Sequence, residues 1–339
     1  MASTVEISRS SLSEAKARWH LAVRQYGRPF KRPLKTHHGL WSERTGLILR
    51  LISPEGDIAF GEVAPIPWFG TETLETALAY LQQLGSQPFL SALQTIPNTL
   101  PACQFGIQSA IAHIQKPTAA PLSLAPDQIC VLLPSGDAAF KSWEALWALG
   151  HRTFKLKIGL ALPQQEQTWV AQLIAALPAT AQLRLDANGG LTIAEAEQWL
   201  EFCQGGTQIT FLEQPLPPAQ WPDLQRLGDR FGSLVALDES VATVTQLAQV
   251  CAAGWPGTVV IKPAISGSPQ KLQALYQRYA IQGVFSSSLS TPVGRDAALA
   301  IAAQLDPQRH QALGFGVGQW FRDDWQTLSA AELWEKLES

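Results

Sequence analysis

Five short fragments decide the fold of this chain: FKLKIG (154–159), RLDANGG (184–190), FLEQP (211–215), ALDES (236–240) and VVIKPA (259–264). Each is an apolar or β-branched run with charged residues at or near its end, namely Lys155, Lys157, Asp186, Glu213, Asp238 and Lys262. The intervals between charged ends shorten from 29 residues (157 to 186) to 24 residues (238 to 262). Each interval holds about one strand, one helix and two loops. In a parallel βα barrel, charges at the C-terminal strand ends are typical of catalysis.

The same alternation of strands and helices continues on both sides of these fragments. Strand candidates lie at 128–133, 153–158, 182–186, 208–213, 233–238, 258–262, 283–288 and 312–315. Seven amphipathic helical stretches separate them, for example TIAEAEQWLEFCQ (192–204). Eight strands alternating with helices predict an α/β fold with a closed barrel rather than an open sheet.

The chain before the barrel has a different pattern. A strand over 16–31 and a hairpin over 46–63, with the turn PEGD, are followed by helices over 71–85 and 101–115. Thr71 or Thr73 is the expected N-cap of the first helix. These patterns predict an α+β domain over 1–120, a barrel over 121–316, and a Trp-rich segment over 317–339 that packs back on the first domain.

The composition is that of a globular protein with a large core: 339 residues, of which 46% are hydrophobic and 16% charged. The net charge of −3 predicts neither nucleic acid nor an anionic membrane as a partner. No apolar run approaches the roughly 20 residues that span a bilayer, and the first residues lack the apolar segment of a secretory signal. Four widely spaced cysteines in apolar contexts favour reduced thiols and a cytoplasmic location.

The three carboxylates are expected to meet at one end of the barrel. Asp186, Glu213 and Asp238 end consecutive strands, and three unpaired anions this close would repel one another and raise their pKa values. A divalent hard cation removes the repulsion, and an all-oxygen ligand set suits Mg²⁺, with Mn²⁺ as the alternative. The six histidines show no metal-binding spacing.

Two lysines share one face of the second strand. Lys155 and Lys157 alternate with Phe154, Leu156 and Ile158, so the apolar face is the one that the outer helices cover and the lysines point inward. Two buried ammonium groups side by side are expected to lower the pKa of at least one of them, which would provide a base near neutral pH. Lys157 lies nearer the strand end and is therefore expected to lie nearer the substrate. Lys155 would adjust the pKa of Lys157.

Lys262 ends the sixth strand, across the barrel from the second. A cation between two opposed lysines suits one type of reaction. The cation holds a carboxylate, one lysine removes the proton α to it, and the cation stabilises the enediolate that results. The other lysine supports this anion or protonates its opposite face. A small-molecule carboxylate is therefore the expected substrate class.

These residues resemble those of the enolase superfamily, in its muconate-lactonising-enzyme subgroup. The motifs that match, in order, are Lys155-Leu156-Lys157, Asp186-Ala187-Asn188, Glu213-Gln214-Pro215, Asp238-Glu239-Ser240 and Lys262-Pro263. Superfamily sites of this kind combine a lysine or histidine base with Mg²⁺. The resemblance covers essentially the whole chain. It implies a (β/α)7β modified TIM barrel with an N-terminal α+β capping domain.

Within this subgroup, the chain is most similar to the o-succinylbenzoate synthase family. Weaker features carry this likeness: Arg184, the serines at 286–288, LGFGVGQW (313–320) and GEVAPIPWFGTET (61–73). The resemblance implies a metal-dependent lyase of menaquinone or phylloquinone biosynthesis. Lys157 would remove the proton α to the ring carboxylate of 2-succinyl-6-hydroxy-2,4-cyclohexadiene-1-carboxylate. Loss of the hydroxyl would then give 2-succinylbenzoate.

The resemblance also implies supporting roles around the site. Asp186, Glu213 and Asp238 would bind the metal, and Lys262 would support the enediolate. The expected substrate-binding or supporting residues are Arg184, Asn188, Glu239, Ser286, Ser287, Ser288 and Gly314. Arg184 is expected to pair with a metal ligand, to lie near Lys155, or to form a salt bridge inside the barrel. The polar stretch from Thr36 to Thr45 is a candidate lid over the barrel mouth.

Other functions use the same residues. Two opposed lysines also suit an N-acylamino acid racemase, a dipeptide epimerase or a muconate cycloisomerase. Residues 313–320 contain no Asp-x-Asp to hold a peptide ammonium, which weakens the epimerase hypothesis. A Schiff-base aldolase using Lys157 or Lys262 leaves three carboxylates unexplained. A barrel that only binds a ligand would not explain why six charged groups lie at one mouth, where they would destabilise the protein.

Overall fold

The computed structural model describes residues 17–36, 39–117, 123–134, 136–308 and 310–338. Its first part is a three-stranded antiparallel sheet followed by helices. The strands, in sheet order, are β1 (His20–Thr36), β2 (Gly39–Ile52) and β3 (Ile58–Val63). The helices are α1 (Leu74–Leu84), α2 (Leu90–Gln94) and α3 (Pro101–Gln115). Within the described ranges, no helix has the length and apolarity needed to cross a membrane.

The alternating leucines of β2 build the core of this first unit. Leu47, Leu49 and Leu51 are fully buried and belong to one cluster with Ile107 of α3. The Thr73 side chain accepts a hydrogen bond from the backbone N–H of Thr76, which confirms Thr73 as the N-cap. Helix α3 begins at the predicted proline, whereas the short helix α2 was not predicted from the sequence.

The candidate lid at residues 36–45 is a pair of strands rather than a loop where the structure describes it, and its role as a lid stays a prediction. Residues 39–45 belong to β2, paired with the end of β1 from Pro29↔Glu43 to Thr36↔Gly39, and residues 37 and 38 lie outside the described ranges.

One face of this two-stranded ribbon is buried through Arg28, Phe30 and Arg44, while Glu43 on the other face is exposed. The pairing shifts its register between Pro29 and Leu34. Two of the three buried side chains are charged, so the ribbon has no run of alternating apolar residues that would indicate a strand. Polarity alone therefore did not distinguish this ribbon from a loop.

The second part is a barrel of eight parallel strands. These are β4 (Ile129–Leu132), β5 (Thr153–Lys157), β6 (Gln182–Asp186), β7 (Ile209–Glu213), β8 (Val235–Leu237), β9 (Thr258–Ile261), β10 (Gly283–Phe285) and β11 (Leu313–Gly316). The helices between them are α4 (Asp137–Ala148), α5 (Pro163–Ala176), α6 (Ile193–Gln204), α7 (Trp221–Phe231), α8 (Val244–Ala252), α9 (Pro263–Ser266), α10 (Pro269–Arg278) and α11 (Pro292–Leu305). This order is the expected (β/α)7β barrel, and all eight strand predictions overlap an observed strand.

A bridge between β10 and β11 closes the barrel. The hydrogen-bonded order runs β10-β9-β8-β7-β6-β5-β4-β11, and Ser286 pairs in parallel with Gly314 across the remaining gap. The backbone N–H of Ser287 donates to the Gly314 carbonyl at 3.0 Å. A Cβ atom on Gly314 would lie 2.4 Å from Ser286 Oγ, so the close approach at this seam requires glycine.

Side chains alternate between the two sides of the barrel wall. Phe154 and Leu156 of β5 are buried in the layer under the outer helices, as predicted. The residues that fill the interior form a separate cluster, Phe211, Ala236, Val260 and Val284. The inward positions that follow this cluster along the strands carry the charged residues, so the polar layer lies at the C-terminal end of the barrel.

The C-terminal segment contacts the antiparallel sheet. Helix α12 (Ala330–Lys336) buries Trp334, whose ring lies under the guanidinium groups of Arg24 and Arg50, 4.0 and 5.0 Å from the ring centroid. Trp334 also belongs to a cluster with Tyr26 and Ile48. The two boundaries between the three predicted segments stay a prediction, and residue 120, where the first was placed, lies outside the described ranges.

One buried carboxylate joins the antiparallel sheet to the barrel. Glu62, at the end of β3, accepts hydrogen bonds from the backbone N–H groups of Thr291, at 3.0 Å, and Gly294, at 2.9 Å. These groups belong to the first turn of α11, where an anion is favoured by the helix dipole. Tyr26 Oη donates to the same carboxylate. The first unit therefore caps a helix of the second.

We expect Glu62→Gln to destabilise the protein by about 3 kcal/mol, because an amide brings a donor into a pocket of donors and removes the charge that caps α11. The midpoint of urea unfolding, followed by circular dichroism, measures this change. Glu55→Gln is the matched control, since Glu55 is exposed in the β2–β3 turn. Equal midpoints for the two variants would contradict the capping role.

Candidate active site

Strand register brings the predicted charged residues together at one end of the barrel. Lys157 is the register partner of Asp186, and Asp186 is the partner of Glu213. Asp238 and Lys262 directly follow the adjacent strands β8 and β9. The C-terminal ends of five consecutive strands therefore build the site, as the sequence predicted.

Three ammonium groups lie against the carboxylates. Lys155 Nζ is 2.8 Å from Asp186 Oδ2 and 2.6 Å from Glu213 Oε1, so it joins two neighbouring strands. Lys157 Nζ is 3.6 Å from Asp186 Oδ2. Lys262 Nζ forms an ion pair with Asp238 Oδ1. Both inward-facing lysines of β5 thus contact the site, as the alternation of side chains predicted.

Exposure separates the three lysines. The side chain of Lys157 is 35% exposed, that of Lys155 24% and that of Lys262 11%. Asp186, Glu213 and Asp238 are almost fully buried. Lys157 is therefore the lysine that an incoming molecule reaches most easily, and Lys155 lies beneath it.

Only part of the expected rise in carboxyl pKa values is found. Burial raises the pKa of Glu213 to about 7, with Lys155 opposing the rise and the charges of Asp186 and Asp238 adding to it. Burial likewise raises the pKa of Asp238 against the effect of Lys262. Asp186 is the exception. Burial disfavours its charge, but Lys155 and Lys157 more than offset this and hold its pKa at about 2. The sequence argument placed the lysines at the same mouth but treated the carboxylates as unpaired.

Lys155 is not the lysine with the lowered pKa that the sequence led us to expect of at least one of the pair. Burial disfavours the charge on Lys155, but Asp186, Glu213 and Asp238 outweigh burial and raise its pKa well above the usual value. Two ammonium groups on one strand would repel each other in isolation, whereas here carboxylates from the next strands lie between and beyond them.

Asn188 and Glu239 extend the site beyond the metal-binding candidates. Lys157 Nζ donates to Asn188 Oδ1, and Asn188 Nδ2 donates to Glu239 Oε1 at 3.1 Å. Asn188 has a φ of 45°, in the left-handed region that asparagine tolerates. Burial raises the pKa of Glu239, and the charge of Asp186 adds to the rise. Asn188 therefore contacts the predicted base directly, and Glu239 is linked to it through Asn188.

Arg184 lies deeper in the barrel than the carboxylates. Its Nη2 donates to the Ala312 carbonyl at 2.8 Å, and its guanidinium lies 5.1 Å from the centroid of the Phe211 ring. Among the described residues, no salt bridge joins it to a carboxylate of the site, so the expected pairing with a metal ligand is not found. Arg184 stands two residues before the strand end and therefore one layer lower.

The serines after β10 divide into two environments. Ser286 Oγ donates to the Gly314 carbonyl at 3.3 Å, and Ser287 Oγ accepts from the Leu289 N–H at 2.9 Å. Both are half-buried at the barrel seam. Ser288 is buried, and its carbonyl accepts from Arg44 Nε at 3.2 Å. The structure thus places Ser288 in the contact with the first unit, whereas Ser286 and Ser287 stay near the mouth.

Gln214 supports the site, although no role was assigned to it from the sequence. It follows Glu213, is fully buried, and has a φ of 38°. Its Oε1 accepts from the backbone N–H of Asp238 at 2.9 Å, and its Nε2 donates to Ser240 Oγ at 2.8 Å. It therefore fixes the end of β8 relative to the end of β7. The FLEQP motif was the available signal.

The donor set fits a hard divalent cation. Three buried carboxylates and the half-buried Glu239 meet here, and Glu239 Oε2 is a buried oxygen with no hydrogen-bond partner among the described residues. Within the described ranges, no three His, Cys, Asp or Glu side chains already form a metal-binding group; Lys155 lies between Asp186 and Glu213, and Lys262 pairs with Asp238. Oxygen ligands of this kind are those that Mg²⁺ and Mn²⁺ prefer.

Comparisons with known proteins agree with this geometry. Residues 5–114 match a family model described as "MenC, N-terminal domain", and residues 139–330 match one described as "Enolase C-terminal domain-like". The o-succinylbenzoate synthase of Thermosynechococcus vestitus is 39% identical over 327 residues, which are 95% of this chain and 99% of that protein. The chain belongs to the o-succinylbenzoate synthase family.

Other members of this family and its superfamily are also similar. The Klebsiella pneumoniae o-succinylbenzoate synthase is 33% identical, over 78% of this chain and 81% of that protein. The crystal structure of o-succinylbenzoate synthase from Thermosynechococcus elongatus, with Mg in its active site, has a TM-score of 0.86 at 38% identity and covers 94% of this chain and 99% of its own. A muconate lactonizing enzyme from Pseudomonas fluorescens has a TM-score of 0.72 at 22% identity over 91% of this chain and 90% of its own, which shows a shared fold.

We expect Mg²⁺ to bind more tightly as the pH rises toward neutrality. With a pKa of about 7 in the metal-free protein, Glu213 carries a proton below that pH and must release it to become a ligand. The association constant should rise up to about tenfold per pH unit below pH 7 and level off above it. Calorimetric titration in two buffers of different ionisation enthalpy counts the released protons. An association constant that does not change between about pH 6 and pH 8 would contradict this expectation.

Proposed function

We propose that this chain catalyses the o-succinylbenzoate synthase reaction, the syn dehydration of 2-succinyl-6-hydroxy-2,4-cyclohexadiene-1-carboxylate to 2-succinylbenzoate. The observation that carries the proposal is the placement of Lys157 and Lys262. They lie at the ends of β5 and β9, four strands apart in an eight-stranded barrel and therefore on opposite sides of one group of carboxylates. Family membership over nearly the whole chain supports the choice of substrate.

Lys157 is the proposed base. As a base, Lys157 Nζ takes the proton from the ring carbon that bears the carboxylate, and the electron pair of that C–H bond moves toward the carboxylate. This pair then forms the new ring double bond as the C–O bond to the hydroxyl breaks. The ammonium formed returns the proton to the leaving hydroxyl on the same face, so water leaves and the ring becomes aromatic. Asn188 Oδ1 accepts from Lys157 Nζ and would orient it.

Asp186, Glu213 and Asp238 would hold a divalent cation. When bound, this cation stabilises the negative charge that develops on the substrate carboxylate. Mg²⁺ is the proposed ion, supported by the Mg in the active site of the Thermosynechococcus elongatus structure, and Mn²⁺ is the alternative. Lys155 would hold Asp186 and Glu213 together, and Lys262 would support the same charge from the opposite side.

Family membership sets aside the Schiff-base aldolase and the barrel that only binds a ligand. An N-acylamino acid racemase stays the second candidate, because opposed lysines can exchange protons on two faces of one carbon.

We also propose a cytoplasmic location. In its support, Cys103, Cys130 and Cys203 are free and buried, and burial raises the pKa of Cys203 to about 12. The absence of nucleic-acid partners stays a prediction.

Turnover of freshly prepared 2-succinyl-6-hydroxy-2,4-cyclohexadiene-1-carboxylate tests the function directly. We expect aromatisation that requires Mg²⁺, stops with chelator, and falls by at least about 10³-fold in Lys157→Ala, because the base is lost. The appearance of 2-succinylbenzoate in the ultraviolet spectrum measures the rate.

Lys141→Ala is the matched control, since Lys141 is an exposed lysine of α4 and its loss should not change the rate. No turnover by the wild type would reject the proposed dehydration. If such a protein instead exchanged deuterium at the α-carbon of N-succinylamino acids, the racemase would replace it with the same site.

A further inference from the structure

We propose that Phe69 positions Lys262 for the reaction. The Lys262 ammonium lies 4.6 Å from the centroid of the Phe69 ring, a distance at which the ring face attracts a cation. Phe69 comes from the segment between β3 and α1, whereas Lys262 ends a barrel strand. The first unit thus contributes a contact to a lysine of the site, and the inference rests on the proposed function of that lysine.

Lys262 needs a second contact to be held in one place. Its ammonium has three donors, and among the described residues its one hydrogen-bond partner is Asp238 Oδ1. A four-carbon stem with a single anchor can rotate about that anchor. The Phe69 ring provides the second contact, so the ammonium lies between an anion and an aromatic face. The side chain is only 11% exposed, which strengthens the attraction to both.

The segment that carries Phe69 is itself firmly held. Arg44 is buried and donates to the carbonyls of Ala64 and Pro65, the latter at 2.8 Å. The backbone N–H of Ile66 donates to Thr71 Oγ1 at 2.7 Å. Phe69 therefore lies on a segment anchored on both sides.

A tight turn completes this anchoring. Residues 67–69 form a short 3₁₀ helix that begins at Pro67 and is closed by Gly70, which has a φ of 87°. The N–H of Phe69 donates to the Ile66 carbonyl at 2.9 Å. Proline and glycine fix the backbone at the two ends of the turn, so the ring approaches Lys262 from a defined direction.

This arrangement predicts an effect on the chemical step more than on substrate binding. Lys262 is proposed to stabilise negative charge that develops only during the reaction. If its ammonium is mobile, this stabilisation of the transition state is weaker and kcat falls. Leucine would fill much of the space of Phe69 but offers no ring face to the cation. Tyrosine keeps the face.

The test compares Phe69→Leu and Phe69→Tyr, with Mg²⁺ bound, in steady-state turnover of the cyclohexadiene substrate. We expect kcat to fall about tenfold in Phe69→Leu with KM within about twofold of wild type, and Phe69→Tyr to keep at least about half of the wild-type kcat.

The matched control is Phe89→Leu. Phe89 lies in the same unit with the Arg18 guanidinium 4.3 Å from its ring centroid, near the start of β1 rather than at the barrel mouth. The same substitution there removes a contact of the same kind, and it should leave kcat and KM unchanged. Circular dichroism and melting temperatures compare the folding of all three variants.

Three outcomes would overturn the proposal. The first is a Phe69→Leu variant with wild-type kcat, and the second is a rise in KM alone, which would make Phe69 a wall for the substrate. The third is an equal loss in Phe69→Leu and Phe69→Tyr. If the wild type itself does not turn over this substrate, the proposed function fails separately. In that case, crystal structures of the wild type and of Phe69→Leu test the positioning role of Phe69. Lys262 Nζ should be displaced in the variant relative to the wild type, and an unchanged position would overturn the proposal.

Discussion

The structure of the site depends on one ammonium group placed between two buried carboxylates. Lys155 contacts both Asp186 and Glu213, which are register partners on adjacent strands. Without a cation between them, two buried anions at that spacing would repel each other and take up a proton. Lys155 keeps Asp186 ionised. The remaining excess of negative charge raises the pKa of Glu213, which can therefore take up a proton. A divalent cation would complete this balance, since it adds positive charge where the lysines leave Glu239 Oε2 without a hydrogen-bond partner among the described residues.

A second constraint is the seam between the antiparallel sheet and the barrel. Glu62 caps α11, and Arg44 donates both to carbonyls of the segment before Phe69 and to the Ser288 carbonyl after β10. These buried charged groups all have partners, which is the condition under which burial of charge is tolerated. One wall of the barrel mouth is consequently built by a part of the chain about 200 residues away from the lysine that it contacts.

Part of this could be predicted because it depends on local rules. The alternation of lysines with Phe154 and Leu156 fixed the inward face of β5, and Thr73 was recognisable as an N-cap. The same rules failed where polarity was ambiguous. The ribbon from residue 39 to 45 looked like a loop because the fully buried side chain in it, Arg44, is charged rather than apolar. The sequence left open whether Arg184 pairs with a metal ligand, lies near Lys155 or forms a salt bridge inside the barrel, and the strand register places it beside Lys155.

The sequence by itself determined the eight strands, their order along the chain and the charged residues that end them. Periodicity, caps and strand-end charges are properties of short stretches, and the backbone follows them. Only the tertiary structure decided which cation faces which anion, and hence that Asp186 stays charged, that Gln214 fixes Asp238, and that Phe69 contacts Lys262. Electrostatic interactions and ring contacts depend on distance in space between residues far apart in the chain, and that distance is set only when the barrel closes and the first unit packs on it.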